Sequence, residues 1–314
     1  MSPPLSPPLS PPLSPLGAVK NLIFPKLNRK AKRFALPEFE LGRGIPKILH
    51  QTYFSQTAEP AVLPLEICEN IERIKAVNPT WQHRLYGRDD ITQFIRTNYG
   101  EKILQYFERI DPAYGAARAD FFRYLLMYQC GGVYLDVKST ITSPLDDFLQ
   151  ADDTFLLSQW KNQPQDECAG WGLHYEVRDI PRGEFQQWHI VVAPGHPFMR
   201  AVIEQVLTNI DLYIPSLHGV AKKGVLRTTG PMPYTLTIAP LLRPGNHRVV
   251  SDDASFPLKY SIYGYDAHFD VFKSHYSRLT IPVVRICPAK QVWSKVITRL
   301  NKIQETMQNR RRTR

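Results

Sequence analysis

Ala117-Arg118-Ala119-Asp120-Phe121-Phe122-Arg123-Tyr124, followed after a short gap by Gly131-Gly132-Val133-Tyr134-Leu135-Asp136, couples a helix to a strand. Just upstream, Asp111-Pro112 sets a capping aspartate before a proline suited to a first helical turn, which predicts a helix from there to Cys130. The double glycine stops that helix and turns the chain tightly, so Val133 to Val137 reads as a short buried strand. Ala116, Asp120, Arg123 and Met127 have the spacing of one helix face, so a carboxylate and a guanidinium project together, and Asp136 emerges where the strand ends.

On the N-terminal side, Ile45-Pro46-Lys47-Ile48-Leu49-His50-Gln51-Thr52-Tyr53 reads as a buried strand, and Leu65, Cys68, Ile71 and Ile74 mark a helical face. Asn78-Pro79 interrupts it, Trp81 to Tyr86 forms a second strand, and Asp89-Asp90 caps a helix running toward Tyr99-Gly100. Downstream, Phe155 to Ser158 and Ile190 to Ala193 are further strands. The latter leads through Pro194-Gly195-His196-Pro197 into a helix over Phe198 to Asp211. This alternation predicts an α/β fold, a Rossmann-like, mostly parallel sheet flanked by helices, with its ligand site beyond the carboxyl ends of the strands.

The 314 residues are 43% hydrophobic and 11% aromatic, enough to bury a large core, which excludes a disordered chain. The formal charge of 39 − 29 = +10 favours anionic partners: nucleotides, nucleic acid or acidic membrane surfaces. Cys68, Cys130, Cys168 and Cys287 form no Cys-x-x-Cys pair, which argues against a zinc ribbon or a redox motif and for buried structural thiols. With no apolar run long enough to span a bilayer and no secretory leader pattern, a cytoplasmic protein is expected, peripheral at the inner face of a membrane at most.

Residues 1–16 repeat Ser-Pro-Pro-Leu and are expected to form a disordered tail outside the fold. Residues 17–44 form a basic segment with Lys20, Lys26, Arg29, Lys30, Lys32 and Arg33. In residues 291–314, Trp293, Val296, Leu300, Ile303 and Met307 recur at helical spacing among Lys295, Arg299, Lys302 and Arg310-Arg311-Arg312. That stripe is expected to dock on the protein's own core; adsorption to an anionic membrane is the alternative.

Breaking a bond between an anomeric carbon and a nucleoside diphosphate requires neutralising the developing pyrophosphate charge, by a divalent cation or by arginine or lysine. A strand-end carboxylate suits Mg²⁺ or Mn²⁺, and a carboxylate and guanidinium on one helix face can orient a sugar and its phosphates. The two motifs quoted first resemble the donor-site signature of the family 32 glycosyltransferases, DXD-type sugar transferases that include fungal mannosyltransferases and bacterial capsule enzymes. The likeness extends from Ile45-Pro46-Lys47-Ile48-Leu49-His50-Gln51 through Asn78-Pro79, Arg84-Leu85-Tyr86 and Ser143-Pro144-Leu145-Asp146-Asp147. It weakens over Pro194-Gly195-His196-Pro197-Phe198 and Thr229-Gly230-Pro231.

The resemblance implies a GT-A fold over residues 45–290 and retaining transfer from a nucleotide-sugar donor to a glycan or glycolipid acceptor. Asp120, Arg123, Tyr134, Asp136, His50 and Gln51 would bind the donor. Gln187, or His189 beside it, would face the acceptor, with Asp136, Lys138 and Gln187 closest to the chemistry. One position departs from the family's Asp-x-Asp: the chain reads Asp136-Val137-Lys138. Strand alternation is expected to turn Asp136 and Lys138 the same way. Either Lys138 itself neutralises the leaving diphosphate, or a divalent cation is retained by Asp136, diphosphate, water and a residue such as His275; loss of catalysis is a third outcome.

Tyr260-Ser261-Ile262-Tyr263-Gly264-Tyr265 is dense in aromatic side chains and is expected to fill core. Two other function classes compete with transfer. A non-catalytic nucleotide-sugar or glycan-binding protein is separated from it by donor turnover. Specific nucleic-acid binding is not expected, since the basic termini come with no base-reading module.

Overall fold

The computed structural model describes residues 33–53, 63–253, 255–263 and 278–312. The proline-rich tail, most of the basic N-terminal segment, His275 and Tyr265 lie outside the described residues. Six strands form the main sheet: β1 (Ile48–Thr52), β2 (Gln82–Tyr86), β3 (Gly132–Leu135), β5 (Phe155–Leu157), β6 (His189–Val192) and β7 (Arg248–Val249), in the order β2-β1-β3-β6-β5-β7. β1 pairs parallel with β2 and β3, β5 pairs parallel with β7, and β6 runs against both neighbours, β3 and β5. All strands except β6 therefore point to one edge, where their carboxyl ends meet the start of β6.

Helices α1 (Leu65–Val77), α2 (Arg88–Arg109), α3 (Gly115–Cys130) and α4 (Pro197–Leu212) flank the sheet, followed by α5 (Pro215–His218), α6 (Ala221–Thr228) and α7 (Pro231–Ile238). A two-stranded ribbon, β4 (Thr140–Ile141) with β8 (Leu258–Lys259), ties the chain after β3 to the segment carrying Tyr260. Strand alternation divides the core. Tyr134, Phe155, Leu157, Ile190 and Val192 pack with α3 and α4 on one face, while Val133, Leu135, Leu156 and Val191 pack with Trp160, Trp188 and Phe256 on the other. Helix α3 is buried along almost its whole length, and so carries apolar residues on all sides.

Several boundaries differ from the sequence reading for local reasons. The helix expected to begin at Asp111 begins at Gly115. Asp111 instead closes a turn, its Oδ1 accepting from the Ala113 N–H (3.0 Å) and its carbonyl from the Tyr114 N–H (2.9 Å). The helix expected to run toward Gly100 continues past it to Arg109, broken where Gly100 takes φ 77°. The strand expected to reach Val137 ends at Leu135, and Asp136 opens a turn whose Ser139 N–H returns to the Asp136 carbonyl at 2.8 Å. Residues 33–44, expected to precede the domain, pack on it through Leu36 and Phe39.

Glycine is required at the double turn: Gly131 and Gly132 have φ of 61° and 94°, and a Cβ on Gly132 would lie 2.5 Å from the Ile48 carbonyl. The family-like pieces Asn78 and Asp146 act as pins. Asp146 accepts from Trp81 Nε1, Thr80 and Lys47, and the Asn78 side chain accepts from the Leu145 N–H.

The last helix, α8 (Pro288–Arg312), overturns the expected docking of its apolar stripe. Ile297 is buried, and Ser294 and Thr298 border a groove with Pro215 and Pro282, so that side faces the body. Trp293, Val296, Leu300 and Ile303, next to Ile297 along the helix, are nonetheless 59%, 40%, 45% and 52% exposed. No helix among the described residues is long and apolar enough to cross a membrane.

Candidate active site

A cavity of 570 Å³ opens at the carboxyl edge of the sheet and is lined by Asp120, Arg123, Asp136, Lys138 and Gln187 on one side and by Trp160, Trp171, His174, Glu184 and Tyr260 on the other. That volume is in the range of small-molecule sites. Its floor is an ion-paired cluster. Arg123 Nη2 donates to Asp120 Oδ1 (2.8 Å) and Nη1 to the Gln187 carbonyl (2.6 Å), with Asp136 Oδ1 at 3.1 Å. Asp120 also accepts from Gln187 Nε2 (3.1 Å) and Thr229 Oγ1 (3.0 Å). The guanidinium lies 4.8 Å from the centre of the Tyr134 ring. Against the pull of burial, Asp136, Tyr134 and Asp120 hold Arg123 charged.

Burial separates the roles of these groups. The Asp120 and Arg123 side chains are each 4% exposed, whereas Asp136 is 27% exposed and is the carboxylate most open to a ligand. Tyr134, fully buried, shares its hydroxyl with Thr52 Oγ1 (2.9 Å) and donates to Asp136 at 3.4 Å, which places it beneath the site. Gln187 bridges Asp120 and Tyr124 with its amide and Arg123 with its carbonyl.

Lys138 lines the cavity beside Asp136, although turn geometry and not strand alternation puts it there. Its Nζ donates to the Tyr260 hydroxyl (2.6 Å) and lies 3.9 Å from that ring's centre. Burial lowers the Lys138 pKa to about 8, with Asp136 pulling the other way and Arg123 adding to the fall. Tyr260, expected in the core, is half-buried at the cavity wall. Its position is fixed by Ser139 Oγ donating to the Tyr260 carbonyl (2.8 Å) and by the Ile262 N–H donating to the Lys138 carbonyl (2.8 Å).

Three expected residues lie elsewhere. His50 is buried outside the cavity, bridging the Gly131 carbonyl (3.1 Å) and the Tyr86 hydroxyl (2.9 Å), and burial lowers its pKa to about 3. Gln51 is buried between His83 and the Asp136 carbonyl, a support for the turn and not part of the lining. His189 is buried against Ser158 and Phe256, also held neutral by burial at about 3.

As for a divalent cation, no group of three His, Cys, Asp or Glu side chains among the described residues is arranged to hold a metal. Asp136 Oδ1 is engaged by Arg123, and an ammonium occupies the position of the second carboxylate. The described donor set does not fit a cation held by an Asp-x-Asp pair; His275 is outside the described residues.

The sequence reading missed Trp160, Trp171, His174 and Glu184. A signal was present: three of the chain's five tryptophans, Trp160, Trp171 and Trp188, fall within residues 160–188.

Residues 64–156, which contain Asp120, Arg123, Tyr134 and the Asp136-Val137-Lys138 turn, match the family described as glycosyltransferase sugar-binding region containing DXD motif. Among curated relatives, inositol phosphoceramide mannosyltransferase 3 of Schizosaccharomyces pombe is 31% identical over 60% of this chain and 43% of its own length. Initiation-specific alpha-1,6-mannosyltransferase of the same yeast is 23% identical over 63% of this chain and 49% of its own. A putative glycosyltransferase of Saccharomyces cerevisiae is 27% identical over 44% of this chain and 36% of its own. The chain thus spans between about a third and a half of the length of these relatives. A solved structure, PaToxG glycosyltransferase, covers 80% of this chain and 84% of its own at a TM-score of 0.42 and 12% identity. The matched region is the one that builds the Asp120–Arg123–Asp136 floor, and over residues 64–156 the chain is similar to the DXD-type glycosyltransferases.

Proposed function

We propose that this protein transfers a hexosyl group from a nucleotide-sugar donor to an acceptor hydroxyl with retention of anomeric configuration, in glycoconjugate synthesis. The observation that carries this reading is the partly exposed Asp136 just after a strand end, braced by a buried Arg123–Asp120 pair and adjoining the Lys138 ammonium in one cavity. The mannosyltransferase names of the relatives favour mannose as the hexose. In the reaction the bond from the anomeric carbon to the diphosphate oxygen breaks and its electron pair leaves with the diphosphate. The acceptor oxygen bonds to the same carbon, and its proton passes to the leaving phosphate.

Each residue's part follows from its exposure. Asp136 accepts hydrogen bonds from donor hydroxyls, Lys138 neutralises the diphosphate, and Arg123, Tyr134 and Gln187 hold the carboxylates in place. With the Lys138 ammonium neutralising the diphosphate, turnover is expected to persist in chelator; complete loss there would assign that work to a cation held by Asp136 and the diphosphate. Asp136→Asn, which removes charge without removing volume, is expected to lower transfer at least about a hundredfold with an unchanged melting temperature. Wild-type turnover by that variant would sink the assignment. Lys138 in place of a metal-binding carboxylate also favours a non-catalytic nucleotide-sugar binder, which predicts donor binding without donor hydrolysis or transfer.

We also propose that α8 lies on an anionic membrane: its exposed Trp293, Val296, Leu300 and Ile303 adjoin Lys295 and Arg299, which border the groove at Pro215 and Pro282. In this reading residues 45–290 are the GT-A catalytic unit and residues 291–314 are a basic segment that attaches it through α8.

A further inference from the structure

Resting on the transferase reading, we propose that the far half of the cavity is the acceptor site and takes a saccharide, whose ring packs in a corner formed by Trp160, Trp171 and Tyr260 and whose oxygens receive a hydrogen bond from His174. The sheet topology separates the two halves. Asp136 and Lys138 follow β3, whereas Trp160 follows β5, on the other side of the antiparallel β6 but at the same edge. A group bound beyond β5 therefore faces a donor bound beyond β3.

The three rings stand nearly at right angles to one another, at 71° for Trp160 with Trp171, 86° for Trp160 with Tyr260 and 89° for Trp171 with Tyr260, with centres 5.1 to 5.8 Å apart. Trp160 is buried and locked, its indole N–H donating to Glu184 Oε1 at 2.9 Å, while Trp171 and Tyr260 are half-buried at the wall. Glu184 Oε2 lies 3.3 Å from His174 Nε2, and this carboxylate raises the His174 pKa, so the ring holds its proton closer to neutral pH. Gly172 admits this packing: with φ 72°, a Cβ there would lie 2.7 Å from Trp160 Cδ1 and 2.8 Å from Glu184 Cγ.

Aromatic faces bordered by a hydrogen-bond donor match a pyranose, which has C–H groups on its faces and hydroxyls around its edge; an alkyl chain would leave the donor unused. Tyr260 belongs to both halves, since its hydroxyl accepts from Lys138, the cation assigned to the diphosphate. The acceptor ring is thereby placed next to the leaving group that receives its proton.

The test uses the full chain with three methyl glycosides, methyl α-mannoside, methyl β-glucoside and methyl β-galactoside, and a nucleotide-sugar panel, reading donor hydrolysis, transfer and saturation-transfer NMR of the glycoside. Trp171→Ala is expected to lower the ratio of transfer to hydrolysis about tenfold, Trp171→Phe to restore most of it, and His174→Ala to lower it several-fold. Asp136→Asn, by contrast, lowers both activities together. An unchanged ratio in Trp171→Ala, or a glycoside signal abolished by a nucleoside diphosphate alone, overturns the proposal. If the wild type turns over no donor, the transferase reading fails by itself, and the NMR signal decides here: a wild-type signal lost in Trp171→Ala supports a saccharide corner, and no wild-type signal overturns it.

Discussion

Lys138 and Arg123 are two cations in one cavity with different work to do. Arg123 is enclosed by Asp120, Asp136, Gln187 and Tyr134, so truncating it leaves a buried carboxylate uncompensated. Arg123→Ala is expected to cost roughly 3 to 5 kcal/mol in urea unfolding. Lys138 has its charge turned toward the ligand space and a pKa lowered to about 8 against an unfolded value near 10.5. Below pH 8 the folded state bears the cost of a buried ammonium, and stability from this group rises as pH climbs from about 8 to 10.5, where only the unfolded chain still binds the proton. Lys138→Met is accordingly expected to raise the melting temperature by a few degrees near pH 7 while weakening donor binding about tenfold or more, measured by calorimetric scanning and titration. In the wild type, donor affinity should fall as pH rises through about 8.

At the scale of elements, helix α8 shows how one amphipathic pattern serves two surfaces. Ile297 and Lys290, which donates to the Asp211 carbonyl, attach it to the body, and the apolar stripe faces outward. Periodicity identifies the stripe but not which side of the helix meets the protein, because that depends on where Pro215 and Pro282 are brought by the rest of the fold. Co-sedimentation with vesicles containing phosphatidylserine is expected, with little binding to phosphatidylcholine alone and a loss of about tenfold in Trp293→Ser/Leu300→Ser. Equal binding of both vesicle types would remove the electrostatic part of the proposal. The Asp111-Pro112 turn teaches a related lesson: an aspartate before proline satisfies an Asx turn as readily as a helix cap, and only the Tyr114 backbone decides between them.

For the whole molecule, three histidines buried in different layers share one property. His50, His189 and His196 are each no more than 3% exposed, and burial lowers their pKa values to about 3, 3 and 4. Each is neutral in the folded protein where the unfolded chain would be protonated, so stability is lost as pH falls below about 6.5, by about 1.4 kcal/mol per pH unit for each fully differential site. Urea unfolding at pH 7.5, 6.0 and 5.0 should show a progressive fall in midpoint, and replacing His189 by Gln should flatten the slope. A midpoint independent of pH across that range would mean that these rings titrate in place.

The sequence by itself determined that a helix ends at Cys130, that the double glycine turns the chain and that a short strand leads to Asp136, since left-handed glycines and burial of a short apolar run act over a few residues. It also determined that Asp120 and Arg123 meet, because one helical turn separates them. Only the tertiary structure decided that His50, Gln51 and His189 lie behind the site, that Lys138 reaches the cavity through a turn, and that Trp160, Trp171, His174 and Glu184 complete it. Those outcomes depend on β5 and β6 being laid beside β3 and on the β4–β8 ribbon delivering Tyr260, contacts between segments far apart in the chain that no local pattern records.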